Sequence, residues 1–329
     1  MYENLVSWVE NIKEKNHSSG TALLIMKDNQ TVLEHYSGTQ SNYSGARPVT
    51  AKTRFNIASA RKSYLGLAVA FAVHEGKIES LDDLALKYFP EWDTGLLGET
   101  TIRHLLTHSH GLHTTEEGVP FREFPPGKSW AYRGINIRMM TELAGRLFQK
   151  SFPQLLKERV FDPLGFKETG WEITSEENLA EVITDPEKGA DSALGSTTDG
   201  TDKNLFVSAR EIAQWGNLHL NLGKADGKQI VPEEVIKLAT SIQSPVYENK
   251  NLPQNGFFWF VQGEPALQSE LGEKVPRGSF QILGVTGSTV LVVPEQNMVI
   301  VKMYNKRYNY GGDNYLHYLR EFSNLAASL

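Results

Sequence analysis

Apolar residues recur at helical spacing over residues 3–15, with Leu5, Val6, Val9 and Ile12 in the run, which predicts an N-terminal helix. Two runs rich in strand formers follow at 21–26 and 31–36, and Lys27-Asp28-Asn29-Gln30 supplies turn chemistry between them, so a hairpin is expected. Residues 37–53 form a polar loop, and a largely apolar helix runs from about residue 59 to Glu75, stopping at Gly76. The long middle is mainly helical, with helices at 101–107, 137–149 and 152–160. A stronger helix over 208–222 opens on Ser208-Ala209-Arg210-Glu211, which fits a capping box. Residues 185–203, rich in Gly, Ser, Thr and Asp, are expected as an exposed loop. Strand patterns return at 256–262, 279–283, 289–293 and 298–304, with a turn at Pro294-Glu295-Gln296-Asn297, and an amphipathic helix over 313–328 closes the chain. Strands near both ends with helices between them predict an α/β (α+β) domain over 1–329. Its sheet is built from 1–58 and about 240–329, and a mainly helical region spans about 59–239.

The composition, 40% hydrophobic and 22% charged, allows a sizeable core. A net charge of -6 with no run of Lys and Arg argues against a nucleic-acid partner. The absence of cysteine removes disulfides, thiolate nucleophiles and Cys-based zinc sites. The acidic start Met1-Tyr2-Glu3 lacks a basic region followed by an apolar one, and the longest apolar stretch, 64–73, is too short to span a bilayer. A cytoplasmic chain without a membrane span is expected, or an exported one if a leader preceded the sequence given.

The chemistry concentrates in Phe55-Asn56-Ile57-Ala58-Ser59-Ala60-Arg61-Lys62. Residues three apart share a helix face, so the Lys62 amine can reach the Ser59 hydroxyl and, if desolvated, take its proton. About one Ser-x-x-Lys is expected by chance in a chain of this length, so the spacing alone also fits a capping serine beside a solvated lysine. Tyr132, just before a helix, is a proton carrier or a loop anchor. Gly284-Val285-Thr286-Gly287-Ser288, between two strand patterns, is a tight bend or a place where the Ser288 N–H joins that of Ser59 in an oxyanion hole. His104, His108, His110 and His113 invite a metal reading, but no His-Glu-x-x-His pattern accompanies them and structural hydrogen bonding is the better expectation. No Gly-x-Ser-x-Gly elbow, phosphate loop or dinucleotide fingerprint occurs. No metal and no cofactor are called for.

These segments, in this order, resemble the serine β-lactamase and penicillin-binding-protein superfamily, and most closely its class C-like branch, which includes esterases and D-aminopeptidase-like or amide hydrolases. Besides the Ser59–Lys62 segment, the resemblance rests on Thr101-Ile102-Arg103-His104-Leu105-Leu106-Thr107-His108, Phe161-Asp162-Pro163-Leu164-Gly165-Phe166 and Val292-Val293-Pro294-Glu295. It implies an antiparallel sheet flanked by helices, a helical subdomain, and a site in the cleft between them. It also implies that Ser59 is acylated, Lys62 activates it, Tyr132 relays protons and the Ser288 N–H completes the oxyanion hole.

Two departures stand out. The second motif, Tyr-x-Asn in the family, ends here in Gly134, with Asn136 two residues on in the wrong helical phase. The third motif, led by Lys or His in the family, is Val285-Thr286-Gly287. By the resemblance, Gly134, Asn136, Val285, Thr286 and Gly287 are the positions these degenerate motifs would offer to a substrate. The resemblance therefore implies that the acyl-transfer groups remain while the usual carboxylate recognition is lost, unless Arg277 or Lys274 reaches in. The expected activity is a serine hydrolase acting on a small ester, amide or peptide-like substrate. The alternatives are weak β-lactamase or D-Ala-D-Ala peptidase activity, and a degenerate member that binds a ligand or partner without turnover.

Overall fold

Along Gly20–Lys27 the side chains alternate between two apolar cores: Ala22, Leu24 and Met26 enter one, Leu23 and Ile25 the other. Thr289–Val293 and Met298–Tyr304 divide in the same way. A strand buried on both faces carries a continuous apolar run, which is how these segments read in the sequence. The computed structural model describes residues 2–185, 189–307 and 315–329.

The main sheet has six strands in the order Phe260–Val261, Phe280–Leu283, Thr289–Val293, Met298–Tyr304, Gly20–Lys27 and Gln30–Gly38, and every neighbouring pair is antiparallel. One sheet thus joins strands from both ends of the sequence, as expected. Helices Glu3–Lys15 and Tyr315–Ala326 cover one face and are pinned together by a 2.8 Å hydrogen bond from Trp8 Nε1 to Glu321 Oε2. On that face Lys302 is buried among aromatic rings, its Nζ 4.8 Å from the ring centre of Phe322, 5.1 Å from Tyr304 and 5.7 Å from Trp8. Burial brings its pKa down to about 7.

Helix Ala209–Leu220 lies on the other face, and helix Lys62–His74 is packed behind it among Ile135–Phe148, Phe152–Leu156 and Glu233–Thr240. Lys62–His74 is apolar nearly all round, the pattern of a core helix. Tyr64 stacks on Trp215 at 4.0 Å and 7°, and Trp215 Nε1 donates to Ser63 Oγ at 3.1 Å. The helix that opens at Lys62 is thereby locked to the helix that packs on the sheet.

Several boundaries differ from the pattern for identifiable reasons. The helix expected from residue 59 begins as a 3-10 turn, Ala58–Arg61, before the α-helix Lys62–His74. Of residues 256–262 only Phe260–Val261 joins the sheet, because the chain turns at Phe258, whose φ is 66°. The 152–160 helix is Phe152–Leu156 followed by a π-helical turn, Lys157–Phe161. Part of the expected loop at 185–203 pairs as a hairpin, Val182–Asp185 with Gly189–Asp191, and residues 186–188 lie outside the described residues. The first two residues of the expected 313–328 helix lie outside them too. A second sheet went unforeseen: Arg54–Asn56 and Thr169–Trp171 flank Leu205–Ser208, each strand four residues or shorter. No described helix is long and apolar enough to cross a membrane.

The capping box at Ser208 is only half made. Ser208 Oγ accepts the Glu211 N–H at 3.2 Å, but the Glu211 carboxylate turns to the neighbouring strand. There it accepts the N–H of Lys167 at 2.6 Å, the N–H of Glu168 at 2.9 Å and the hydroxyl of Thr169 at 2.6 Å. Removing a buried acceptor of this kind strands its donors. Glu211→Ala should lower stability by roughly 2–4 kcal/mol, measured by urea denaturation, with Glu211→Gln losing less because its carbonyl keeps one acceptor. An unchanged midpoint in Glu211→Ala would show that the small sheet does not depend on this residue.

Candidate active site

The turn that carries Ser59 is set by Asn56, the last residue of its strand. Its Oδ1 accepts the Ala58 N–H at 2.9 Å, and its Nδ2 donates to the Lys203 carbonyl at 2.9 Å. This holds Ala58 at φ 45°, a left-handed conformation that costs energy for a residue with a Cβ. The chain reverses there and enters the helix with Ser59 half-buried at the cleft. Ser59 is not a capping residue: the α-helix starts after Arg61 and no side chain caps it.

One turn on, Lys62 is 5% exposed, with Nζ 3.1 Å from Ser59 Oγ and in a short hydrogen bond to Tyr132 Oη. Burial is the main reason its amine loses its proton far more readily than a free lysine, and the charges of Arg61 and Lys203 add to the effect, with Glu270 opposing. Tyr132 is exposed along its ring to the cleft, but desolvation of its hydroxyl end beside Lys62 raises the phenol; a hydrogen bond with Ser59 and the charge of Arg61 work against this, and Glu270 adds to it. Both shifts favour the uncharged pair. A neutral amine has one lone pair for the Ser59 proton and N–H groups to donate to the tyrosine oxygen.

Tyr132 is supported from behind. Its ring stacks on His108 at 4.8 Å and 29°. Asn136 Nδ2 donates to the Leu105 carbonyl at 2.7 Å and lies 3.2 Å from His108 Nδ1. Asn136 is therefore fully buried and faces away from the cleft, so the side chain considered for substrate contact braces the tyrosine support instead. His104 closes a capping box with Thr101, and His110 Nδ1 accepts the Leu112 N–H at 2.9 Å. The role of His108 was hidden within the histidine cluster; its only signal was its place at the end of the 101–108 segment that carries part of the resemblance.

The 284–288 bend lies against the turn that carries Ser59. Thr286 Oγ1 donates to the Asn56 carbonyl at 2.6 Å, and Ser288 Oγ donates to the Ile57 carbonyl at 2.9 Å. The Thr286 side chain is thus used as a tie and is buried, not offered to a ligand. Gly287 has φ 93°, and a Cβ at Gly284 would drive into the Ile57 carbonyl and Ser288 Oγ.

Two cavities meet at Ser59. One, of about 750 Å³, is lined by Ser59, Lys62 and Tyr132 together with Arg61, Gly134 and Lys203. The other, of about 310 Å³, lies on the Val285 side and is lined by Ser59, Tyr132, Leu283, Val285, Tyr315 and Glu270. Neither cation considered as a substitute for the third-motif base is there. Arg277 is exposed and pairs with Glu264 at 3.2 Å, and Lys274 lies by the C-terminal helix. In their stead stands a carboxylate, Glu270, which carries no sequence signal.

The family model described as Beta-lactamase matches residues 5–323. This chain belongs to that family. It is 45% identical over 321 residues to an uncharacterized protein of Alkalihalophilus pseudofirmus, covering 98% of this chain and 94% of that protein. Among solved structures it is similar to EstCE1, described as a hydrolase with promiscuous acyltransferase activity, with a TM-score of 0.77, 20% identity and coverage of 98% of this chain and 99% of that one. It is also similar to a class C beta lactamase from Rhodobacter sphaeroides, with a TM-score of 0.76, 18% identity and coverage of 98% of each chain. At these identities the solved structures establish the fold, which agrees with the sheet and helical region expected from the sequence.

If the bend fixes the turn that carries Ser59, disturbing their contact should cost activity before stability. Gly284→Ala should lower ester turnover by at least about 100-fold. Its melting temperature, read by circular dichroism, should fall by only a few degrees, consistent with a local backbone shift. Wild-type rates in Gly284→Ala would show that the contact does not position the serine.

Proposed function

We propose that this protein is a serine hydrolase that cleaves small esters or simple amides through an acyl-enzyme on Ser59. The observation that carries this reading is the buried Lys62 amine, within hydrogen-bond distance of both Ser59 Oγ and Tyr132 Oη at the junction of two cavities. A purely binding protein has no physical need to hold an uncharged lysine there.

In the first step Ser59 Oγ attacks the substrate carbonyl carbon while its proton passes to Lys62 Nζ. The oxyanion accepts hydrogen bonds from the backbone N–H groups of Ser59 and Ser288. The C–O or C–N bond then breaks, and the proton on Lys62 reaches the leaving group through the Tyr132 hydroxyl. Water attacks the Ser59 ester in the second half. It gives a proton to the same pair and releases the acid with Ser59 restored.

The third-motif position supports a choice among substrates. A carboxylate entering beside Val285 would lose hydration without gaining a cation, which costs several kcal/mol. Short activated esters should therefore turn over far faster than benzylpenicillin or nitrocefin. Efficient β-lactam hydrolysis by the wild-type protein would favour the penicillin-recognising alternative.

Ser59→Ala should abolish both ester turnover and labelling by a fluorophosphonate, followed by intact-mass spectrometry. Lys62→Arg should be as inactive as Lys62→Ala, because a guanidinium does not act as a base. Tyr132→Phe should lose at least about 100-fold in rate. Because Lys62 must be neutral to accept the proton, kcat/KM should rise with pH and level off below the range where an ordinary lysine deprotonates. A clean Ser59→Ala protein that still hydrolyses esters would refute the assignment.

A further inference from the structure

Glu270 stands in the smaller cavity, which it shares with Ser59, Tyr132, Val285, Leu283 and Tyr315. The segment around it is held firmly. Gln281 Nε2 donates to the Glu270 carbonyl at 3.1 Å, and Ser269 Oγ accepts the Leu271 N–H at 3.2 Å. Gln262 Nε2 donates to the Gly272 carbonyl at 3.0 Å, and the Gly272 N–H donates to Ser323 Oγ at 2.8 Å. The backbone is thus anchored to the sheet and to the C-terminal helix. Among the described residues, however, the Glu270 carboxylate has no hydrogen-bond or ion-pair partner.

A half-buried carboxylate without a partner is costly unless something pairs with it. Among the described residues lining this cavity there is no lysine or arginine. The nearby charge that acts on Glu270 is that of Lys62, whose work as a base requires the uncharged amine. Arg277, the cation sought for this region, is engaged with Glu264 at the surface. The sign of the cavity is therefore opposite to that of a site built to hold a carboxylate.

We propose that this cavity is a binding pocket for a cationic group of the substrate, an ammonium or quaternary ammonium, with Glu270 as its counter-ion. The proposal rests on the serine-hydrolase reading and adds the substrate class to it. The apolar wall of Leu283 and Val285 suits the carbon framework of such a group, and tyrosines suit its charge. Burial lifts the Glu270 carboxyl to about 7, so an arriving cation, by favouring the ionised form, would complete the charge pair.

The test uses matched nitrophenyl esters whose acyl chains have equal length and end in a trimethylammonium, a tert-butyl or a carboxylate group. A second pair, a choline ester and the isosteric dimethylbutyl ester, carries the cation on the leaving-group side. In at least one series the wild-type protein should prefer the cationic ester by at least about tenfold in kcat/KM. Glu270→Gln should collapse that preference towards unity, whatever happens to the absolute rate. Glu270→Lys should reverse it, raising the carboxylate-capped ester relative to the neutral one. Competitive inhibition of wild-type turnover of the neutral ester by a trimethylammonium alcohol, and not by its neutral isostere, gives a measurement independent of any variant's folding. No cation preference in either series, or a preference that survives Glu270→Gln, overturns the proposal. Labelling of Ser59 by a neutral fluorophosphonate separates the two readings. If labelling fails, the serine-hydrolase reading is wrong; if it succeeds and the charge preference is absent, only the pocket is.

Discussion

A lysine amine held out of water beside a serine hydroxyl is the constraint around which this molecule is organised. Lys62 opens a helix that is apolar on nearly every side, so packing the helix carries the amine inside. There the charged form loses hydration and finds two like charges, Arg61 and Lys203, in its field. The core thus does more than stabilise the fold: it sets the protonation state of the group next to Ser59. Such control follows mainly from where the helix lies, with Arg61 and Lys203 adding to it.

Position matters as much as ionisation, and it comes from the meeting of two structural layers. The turn that carries Ser59 belongs to the small sheet and the helical region, whereas the 284–288 bend belongs to the main sheet. Side-chain hydroxyls of Thr286 and Ser288 donate to backbone carbonyls of Asn56 and Ile57, so the two layers touch beside Ser59. The left-handed Ala58 is held by Asn56 in the same place. Strain, close backbone approach and hydrogen bonding are thereby concentrated at one junction, as is common where chemistry is carried out.

How much of this was legible in the chain depended on whether the signal was local. The central strands carry apolar runs long enough to read directly, and the terminal helices show their amphipathic spacing. The small sheet did not read out, because strands as short as Arg54–Asn56 and Thr169–Trp171 gain their identity from pairing with Leu205–Ser208, which lies far from both along the chain. In the candidate site, Ser59, Lys62 and Tyr132 were visible through motif and resemblance, and the structure brings them together. Asn136 was misjudged because its direction depends on how the helix Ile135–Phe148 packs, and it turns inward to Leu105 and His108. Glu270 was invisible: nothing in Gln268-Ser269-Glu270-Leu271 marks it, and only the fold brings it to Ser59.

Lys302 lies on the opposite side of the sheet, caged by Trp8, Tyr304 and Phe322, residues drawn from the two terminal helices and the strand that bears it. In an unfolded chain a lysine keeps its proton up to about pH 10. In the folded protein this one lets it go at about 7. Between those two values unfolding must take up a proton, so the folded state gains stability as the solution becomes more alkaline and loses that gain as pH falls through the lower value. Where the two ends of the chain close over the sheet, the fold is therefore coupled to protons between neutral and alkaline pH, and this lysine weighs least against it at the alkaline end.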